Sequence, residues 1–356
     1  MHSYAERVKL RVMAIPFTPP PTRFLTVTDL EPDGILDLLD LADAYKHGRA
    51  PHGGDAPLAG CAVALIFQKP SLRTRVSFEV GVGRLGGQPV VLAGKEVGLG
   101  SRETVADVAK TLERYVDGIV ARVFDHQVLV DLADAVAIPV INALSDAEHP
   151  CQALADLQVL REHLGELRGK RLVFVGDGNN VAASLLLAGA SVGMHVRVVC
   201  PPRYAPDPVV VDRARALGAR TGAQVEVSHD PTTAAVGADA VYTDVWASMG
   251  QEDETEIRRP IFLPYRVTAS MLAVAPDALV LHCLPAHRGE EIDADVLDGE
   301  RSIVFDQAEN RLWAQMAVMS RLIRPRRPGV DAASLGEPTP LPVAIASRSQ
   351  GRPGRG

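Results

Sequence analysis

Ser71, Arg73, Thr74 and Arg75 crowd into the stretch "SLRTR", directly after an apolar run over 61–67, with Lys69 just ahead of them. Guanidinium and hydroxyl groups at that density suit phosphate oxygens. Arginine offers a planar fork of donors, and serine and threonine add hydroxyl donors. If the apolar run is a buried strand, Ser71 caps the helix after it, which runs to Leu85 and is stopped by Gly86-Gly87. The first turn of a helix has free N–H groups and the positive end of the peptide dipoles, so it favours an anion. The stretch is therefore a candidate phosphate cradle. It is not a Walker loop, because G-x-x-x-x-G-K is absent.

Four further motifs recur at the ends of apolar runs. Arg122 closes the run 118–121, "HPCQ" opens a helix at His149, "DVWASMG" follows the run 238–242, and "HCLP" follows 278–281. Singly, each has a plain structural role. His149 starts a helix beside Pro150, Cys283 packs as a small apolar group, Asp244 caps a turn and Arg122 snorkels. Their coincidence at the same edge of two sheets argues for a site, since ligands of open α/β sheets bind beyond the carboxyl ends of the strands.

The elements that must position these groups alternate along the chain. Strands are expected over 61–67, 89–92, 118–121 and 138–141, then over 171–175, 195–200, 224–227, 238–242 and 278–281. Most are β-branched and continuous rather than alternating, as strands buried on both faces are. Helical stretches at 125–135, 150–163 and 209–219 lie between them. The pattern predicts an α/β fold of two doubly wound parallel-sheet domains joined by interdomain helices, with the site in the cleft. The polar stretch "HLGELRGKR", 163–171, marks the break, after which a second βα series starts. The expected division is 23–150 and 151–323, with 149–164 as a bridging helix and an amphipathic helix over 308–323 packing back on the first domain. Residues 1–22 read as an extension, and 324–356, rich in Pro, Gly and Ser, as a disordered tail.

The chain has 356 residues, 47% hydrophobic and 23% charged, with a formal net charge of −7. That length favours two domains. The charge disfavours nucleic acid or an anionic membrane as partner, so any positive site must be local. No apolar run nears the ~20 residues that span a bilayer. The N-terminus has no sustained apolar segment of a secretion signal. The cysteines, Cys61, Cys151, Cys200 and Cys283, lack CxxC spacing and read as reduced thiols of a cytoplasmic protein, with no metal site and no cofactor called for.

The motif series "SLRTR", "HPCQALADL", "GDGNNVAASL", "DVWASMGQE", "HCLPAHRGEEI" and "AENRLWAQMAVM" resembles that of the ornithine carbamoyltransferases, in the same order and over roughly 23–323. The first two are shared by carbamoyltransferases generally, and the "DVWASMG" and "HCLP" motifs are specific to the ornithine branch and its near relatives. The resemblance implies transfer of a carbamoyl group from carbamoyl phosphate to the side-chain amine of L-ornithine, giving L-citrulline and phosphate. It implies that Ser71, the Leu72 backbone, Arg73 and Thr74 hold the phosphate, and that Arg122 spans phosphate and carbonyl oxygen. His149 and Gln152 would meet the carbonyl oxygen and the amide nitrogen. The Cys283-Leu284 backbone and Arg311 would complete the carbamoyl end. Ornithine would lie against Asn180, Asp244, Ser248 and Met249, with Cys283 near the reacting amine. The resemblance also implies a homotrimer, or an assembly of trimers. At Gly98, in the loop 93–104, it departs from a pattern that sends a polar side chain into the neighbouring subunit's site.

Three other readings compete. "VFVGDGNNVAAS" has the look of a dinucleotide fingerprint, but it reads G-x-G-x-x-V, and the following strand ends in Pro201-Pro202 without an acidic residue for ribose hydroxyls. A non-catalytic phosphate- or amino-acid-binding regulator on the same fold has no need of Cys283, Asp244 and Arg311 together. Within the enzyme class, putrescine, lysine or an N-acylated ornithine is the alternative acceptor.

Overall fold

The computed structural model describes residues 22–49, 56–100, 102–247 and 252–325, without the side chains of Lys95, Glu96 and Glu252. The expected N-terminal extension and C-terminal tail lie outside these residues, apart from their innermost positions, and so do Ser248 and Met249. Among the described residues, no helix is long and apolar enough to cross a membrane.

Among the described residues, ten strands form two five-stranded sheets, parallel throughout. The first holds β1 (Arg23–Phe24), β2 (Ala62–Phe67), β3 (Gln88–Ala93), β4 (Gly118–Arg122) and β5 (Val140–Leu144), in the order β1-β5-β4-β2-β3. The second holds β6 (Arg171–Val175), β7 (His195–Val199), β8 (Val225–Ser228), β9 (Ala240–Thr243) and β10 (Leu279–His282), in the order β10-β9-β6-β7-β8. Nine of these strands overlap the expected ones. The additional strand, β1, has only two residues and is too short to carry a pattern. Each sheet winds one way from its first long strand and then returns to that strand's other side. The order reverses between β2 and β4 in one sheet and between β6 and β9 in the other. A crevice opens at such a reversal, because the chain leaves the two adjacent strands toward opposite faces.

The helices of eight residues or more are α1 (Pro32–Lys46), α2 (Leu72–Arg84), α3 (Val105–Glu113), α4 (His126–Ala135), α5 (Pro150–Leu164), α6 (Asn180–Ser191), α7 (Pro208–Thr221), α8 (Thr255–Phe262) and α9 (Val304–Leu322). α5 is buried at every position from Pro150 to Leu160, as a helix enclosed on all sides must be. It lies against α1, α6 and α9, and α9 also packs on α1 and α2. One apolar core therefore runs from Phe24, Leu65 and Phe78 around the first sheet, through Leu154 and Met319, to Phe174 and Leu185 around the second. Arg161 of α5 fastens α1 by donating to Asp40 and Asp43, at 2.7 Å each.

Gly98 sits at φ +60°, where a side chain is strained, and a Cβ there would stand 2.6 Å from that of Arg102. The local backbone thus selects glycine at this point of the loop.

Candidate active site

Both reversal points face one cleft of about 1080 Å³. Of the residues singled out from the sequence, Ser71, Leu72, Arg73, Thr74, Arg122 and His149 line it. So do Gln152, Asn180, Asp244, Cys283, Leu284 and Arg311. Only Ser248 and Met249 are not placed.

One wall belongs to the first reversal point. Ser71 caps α2, its Oγ accepting from the Thr74 N–H at 3.3 Å, so the earlier N–H groups of the first turn have no partner within the helix. Arg122 stands at the end of β4, beside β2, because the register pairs it with Phe67, the last residue of β2. The Thr74 hydroxyl accepts from Arg311 Nη2 at 3.3 Å and from Arg122 Nη1 at 3.5 Å. Three arginines, Arg73, Arg122 and Arg311, thus converge. The Arg122 guanidinium is pushed down to about 10 by burial and by Arg311 and Arg73, against an opposing pull from Cys283. Among the described residues Arg73 meets no carboxylate within ion-pair distance. A cluster of like charges held this way, with Arg122 and Arg311 buried, is stabilised by an anion.

His149 is buried at the head of α5, and its backbone N–H donates to Ser184 Oγ at 2.8 Å. Burial, Arg311 and Arg122 hold its imidazole well below the usual histidine range, so it stays neutral at physiological pH. Its Nδ1 has no hydrogen-bond partner among the described residues. A neutral imidazole between two arginines can donate one N–H without adding charge.

The opposite wall belongs to the second reversal point. Asp244 follows β9. Its Oδ1 accepts from the Cys283 thiol at 3.1 Å and from the Val245 N–H at 2.8 Å, and its Oδ2 accepts from Asn179 Nδ2 at 3.0 Å. Burial and the Asp244 carboxylate push the Cys283 thiol well up, so it remains S–H at neutral pH. Leu284 lies at φ +60° before a cis bond to Pro285, and its N–H donates to His282 Nδ1 at 2.9 Å. The other nitrogen of that imidazole meets Glu291 Oε1 at 3.0 Å, and both side chains are buried. Asn180 turns its amide to the Ser145 carbonyl, across to the first half.

Lys69, singled out ahead of the cradle, is buried with its ammonium 4.4 Å from the Phe124 ring centroid. The partners of Asp177, Asn179 and Arg258 were not visible in the sequence. Asp177 accepts from Arg258 Nη1 at 2.7 Å, and Arg258 also donates to the Trp246 carbonyl at 2.9 Å. Burial lifts the Asp177 carboxyl to about 6 against the pull of Arg258. Asn179 and Asp177 lay within the quoted "GDGNN", where a helix cap was the available signal. Arg258 comes from α8, and no local pattern links it to Asp177.

"GDGNN" has a structural reason of its own. A Cβ on Gly178 would fall 2.3 Å from the Pro206 nitrogen, so the glycine admits a crossing backbone. Val181 is buried where a dinucleotide fingerprint carries its third small residue.

The aspartate/ornithine carbamoyltransferase carbamoyl-P binding domain matches residues 22–162, and the Asp/Orn binding domain of the same family matches residues 168–322. The chain belongs to this family. Among its relatives, the ornithine carbamoyltransferase of Methanothermobacter thermautotrophicus is 53% identical over 84% of this chain and 98% of its own. That of Acidothermus cellulolyticus is 54% identical over 84% and 96%. The solved ornithine carbamoyltransferase from Pyrococcus furiosus superposes with a TM-score of 0.82, at 46% identity over 86% of this chain and 99% of its own. A solved N-acetyl-L-ornithine transcarbamylase, at 35% identity, superposes with a TM-score of 0.76 over 85% of this chain and 99% of its own. The family fold therefore serves more than one acceptor.

Proposed function

We infer that the protein transfers the carbamoyl group of carbamoyl phosphate to the side-chain amine of L-ornithine, releasing L-citrulline and phosphate. The observation that carries this is a cleft with three converging arginines on one wall and a carboxylate–thiol pair on the other, in a chain more than half identical to proteins of that activity.

In this reading the phosphate sits on Ser71, Arg73, Thr74 and the first-turn N–H groups at Leu72. Arg122 spans phosphate and carbonyl oxygen. Neutral His149 donates to the same oxygen, and Gln152 meets the amide nitrogen. The backbone at Cys283-Leu284 and the side chain of Arg311 complete the carbamoyl end. The amine lone pair attacks the carbonyl carbon, and negative charge grows on the oxygen facing Thr74, Arg122 and His149. The C–O bond to phosphate then breaks, the attacking nitrogen gives up its remaining excess proton to the departing phosphate oxygen, and the phosphate leaves onto the arginines. Loss of one such donor typically costs ~10²–10³ in rate. An unperturbed alkylammonium has a pKa near ~10.4, so the amine must shed a proton before attack. Asp244 and Cys283 orient it for that. Holding both substrates in line supplies much of the remaining acceleration. Asn180, with Ser248 and Met249 outside the described residues, would complete the ornithine site.

The finer assignments belong to the same proposal. Residues 23–150 would form the carbamoyl phosphate domain and 151–323 the ornithine domain. The enzyme would act in arginine metabolism, in the cytoplasm, as a homotrimer or an assembly of trimers.

Initial rates of citrulline formation test the reading against the same assay with putrescine, lysine and N-acetylornithine. Ornithine is expected to give the highest kcat/KM by a wide margin. A higher value with putrescine would reassign the acceptor, and no carbamoylated product from any amine would remove the enzyme reading.

A further inference from the structure

Asp156 lies one turn after Gln152 on α5, fully buried between the two halves of the molecule. It does not itself line the cleft. Its Oδ1 accepts from Gln152 Nε2 at 2.8 Å and from Gln307 Nε2 at 2.7 Å. Each glutamine then spends its carbonyl elsewhere. Gln152 Oε1 accepts from Arg311 Nη1 at 2.6 Å, and Gln307 Oε1 accepts from the backbone N–H of His282 at 3.0 Å. Gln152, Gln307 and Arg311 are all buried.

A glutamine amide has an acceptor end and a donor end, and rotation by half a turn exchanges them. Between a carboxylate oxygen that only accepts and a guanidinium that only donates, one orientation of Gln152 satisfies both neighbours. The other sets donor against donor and acceptor against acceptor. The carbonyl oxygen so fixed has a second lone pair and belongs to a residue lining the cleft. An acceptor there recognises an N–H. It has nothing to offer a methyl group.

We propose that Asp156 is the positioning residue for donor specificity. By holding the nitrogens of Gln152 and Gln307 on one oxygen, it presents the Gln152 carbonyl to the –NH₂ of a carbamoyl phosphate and rejects acyl phosphates that carry a methyl group there. The same oxygen, through Gln307, fixes the last residue of β10 before Cys283 and Leu284. Both substrate walls are therefore registered on one carboxylate in the helix between them. The inference rests on the carbamoyl-transfer reading above.

The requirement is an acceptor oxygen at this place rather than a negative charge. Burial lifts the Asp156 carboxyl to about 7, against the opposing pull of the two glutamines and Arg311, so the site tolerates the neutral acid. Asparagine, which keeps one acceptor oxygen, should therefore substitute for it, and leucine, of similar shape with no acceptor, should not.

The test compares three constants in the purified full chain: kcat/KM for carbamoyl phosphate, Ki for acetyl phosphate and Ki for inorganic phosphate. Wild type must first form citrulline; if it does not, the functional reading fails and Asp156 is not the cause. Given that activity, Asp156→Leu is expected to lower kcat/KM for carbamoyl phosphate roughly 10- to 100-fold, as loss of an oriented buried partner does. Both inhibition constants should stay within about threefold, because neither inhibitor offers an N–H to Gln152. Asp156→Asn should keep the preference for carbamoyl over acetyl phosphate within about threefold of wild type, since its oxygen still accepts. If Asp156→Leu does not fold, Asp156→Ala, which opens space instead of filling it, is read by the same ratio. Equal weakening of all three ligands would mean a merely structural role and overturn the proposal. An unchanged ratio in the leucine or alanine variant, or a collapsed ratio in the asparagine variant, would overturn it as well.

Discussion

The two walls of the cleft are built on the same plan and charged in opposite ways. Each lies at the reversal point of a five-stranded parallel sheet, between β2 and β4 on one side and β6 and β9 on the other. At the first, Arg73, Arg122 and Arg311 converge, with buried Asp156 behind Arg311 pulling on it, and burial with mutual repulsion lowers Arg122 to about 10. At the second, Asp177 and Asp244 are each already answered, one by Arg258 and the other by Asn179 and Cys283. The first wall is thus incomplete without an anion, whereas the second is a finished network open to a zwitterion. Binding energy for an activated donor is best placed where charge moves, and in the proposed reaction that would be the arginine wall.

Variants on one wall should leave the other substrate's constants nearly alone. The largest effect is expected from Arg73→Ala. It should raise the carbamoyl phosphate KM and lower turnover by roughly 10²-fold or more, with weaker phosphate inhibition in parallel and little change in ornithine KM. Near-normal kinetics would place the phosphate elsewhere. Cys283→Ser should do the reverse, raising ornithine KM on the order of tenfold with carbamoyl phosphate KM unchanged. An ornithine KM and pH–rate profile identical to wild type would separate Cys283 from the amine.

A smaller effect follows from pH. His149 is already neutral near pH 7, so carbamoyl phosphate binding should show no inflection from it between pH 8 and 6. Asp177 titrates at about 6, so its pair with Arg258 weakens as pH falls through that value. Ornithine KM should rise there in wild type and lose this inflection in Asp177→Asn. An inflection in carbamoyl phosphate KM instead would reverse the assignment of the walls.

The smallest effect is on stability, at the seam between the halves. Buried Glu148 accepts from the Val27 N–H at 2.9 Å and from Ser184 Oγ at 3.4 Å, and burial lifts it to about 7 from 4.5. A carboxyl raised on folding contributes stability that is complete below its unfolded pKa and is lost as pH rises through its folded pKa. The melting temperature of wild type relative to Glu148→Gln should therefore fall between about pH 4.5 and pH 8. A difference independent of pH would show that Glu148 does not titrate in that range.

Nine strands, the cap at Ser71 and the helix read over 150–163 were legible in the sequence, because burial on both faces demands continuous apolar runs and caps obey local rules. The grouping of Ser71, Arg73 and Thr74 at the cleft was legible for the same reason, since "SLRTR" is contiguous. Groups that act through partners distant in the chain were not. Asp156 reads as one polar residue in a helix until Gln307, far along the chain, is seen to share its oxygen. Arg258 reads as a helix charge until it reaches Asp177. Gly98 reads as a missing side chain until its positive φ and the nearby Arg102 give a reason for it.

The sequence by itself determined the alternation of strand and helix, the residues fit to hold a phosphate, and the motif order that marks the family, since each depends on neighbours along the chain. Tertiary structure alone decided which walls the reversal points bring face to face, which arginines converge on one of them, and which partners a buried amide is held between. Those depend on the burial and pairing of groups far apart in sequence, and no local pattern encodes a charge balance that exists only after the two sheets have closed on one helix.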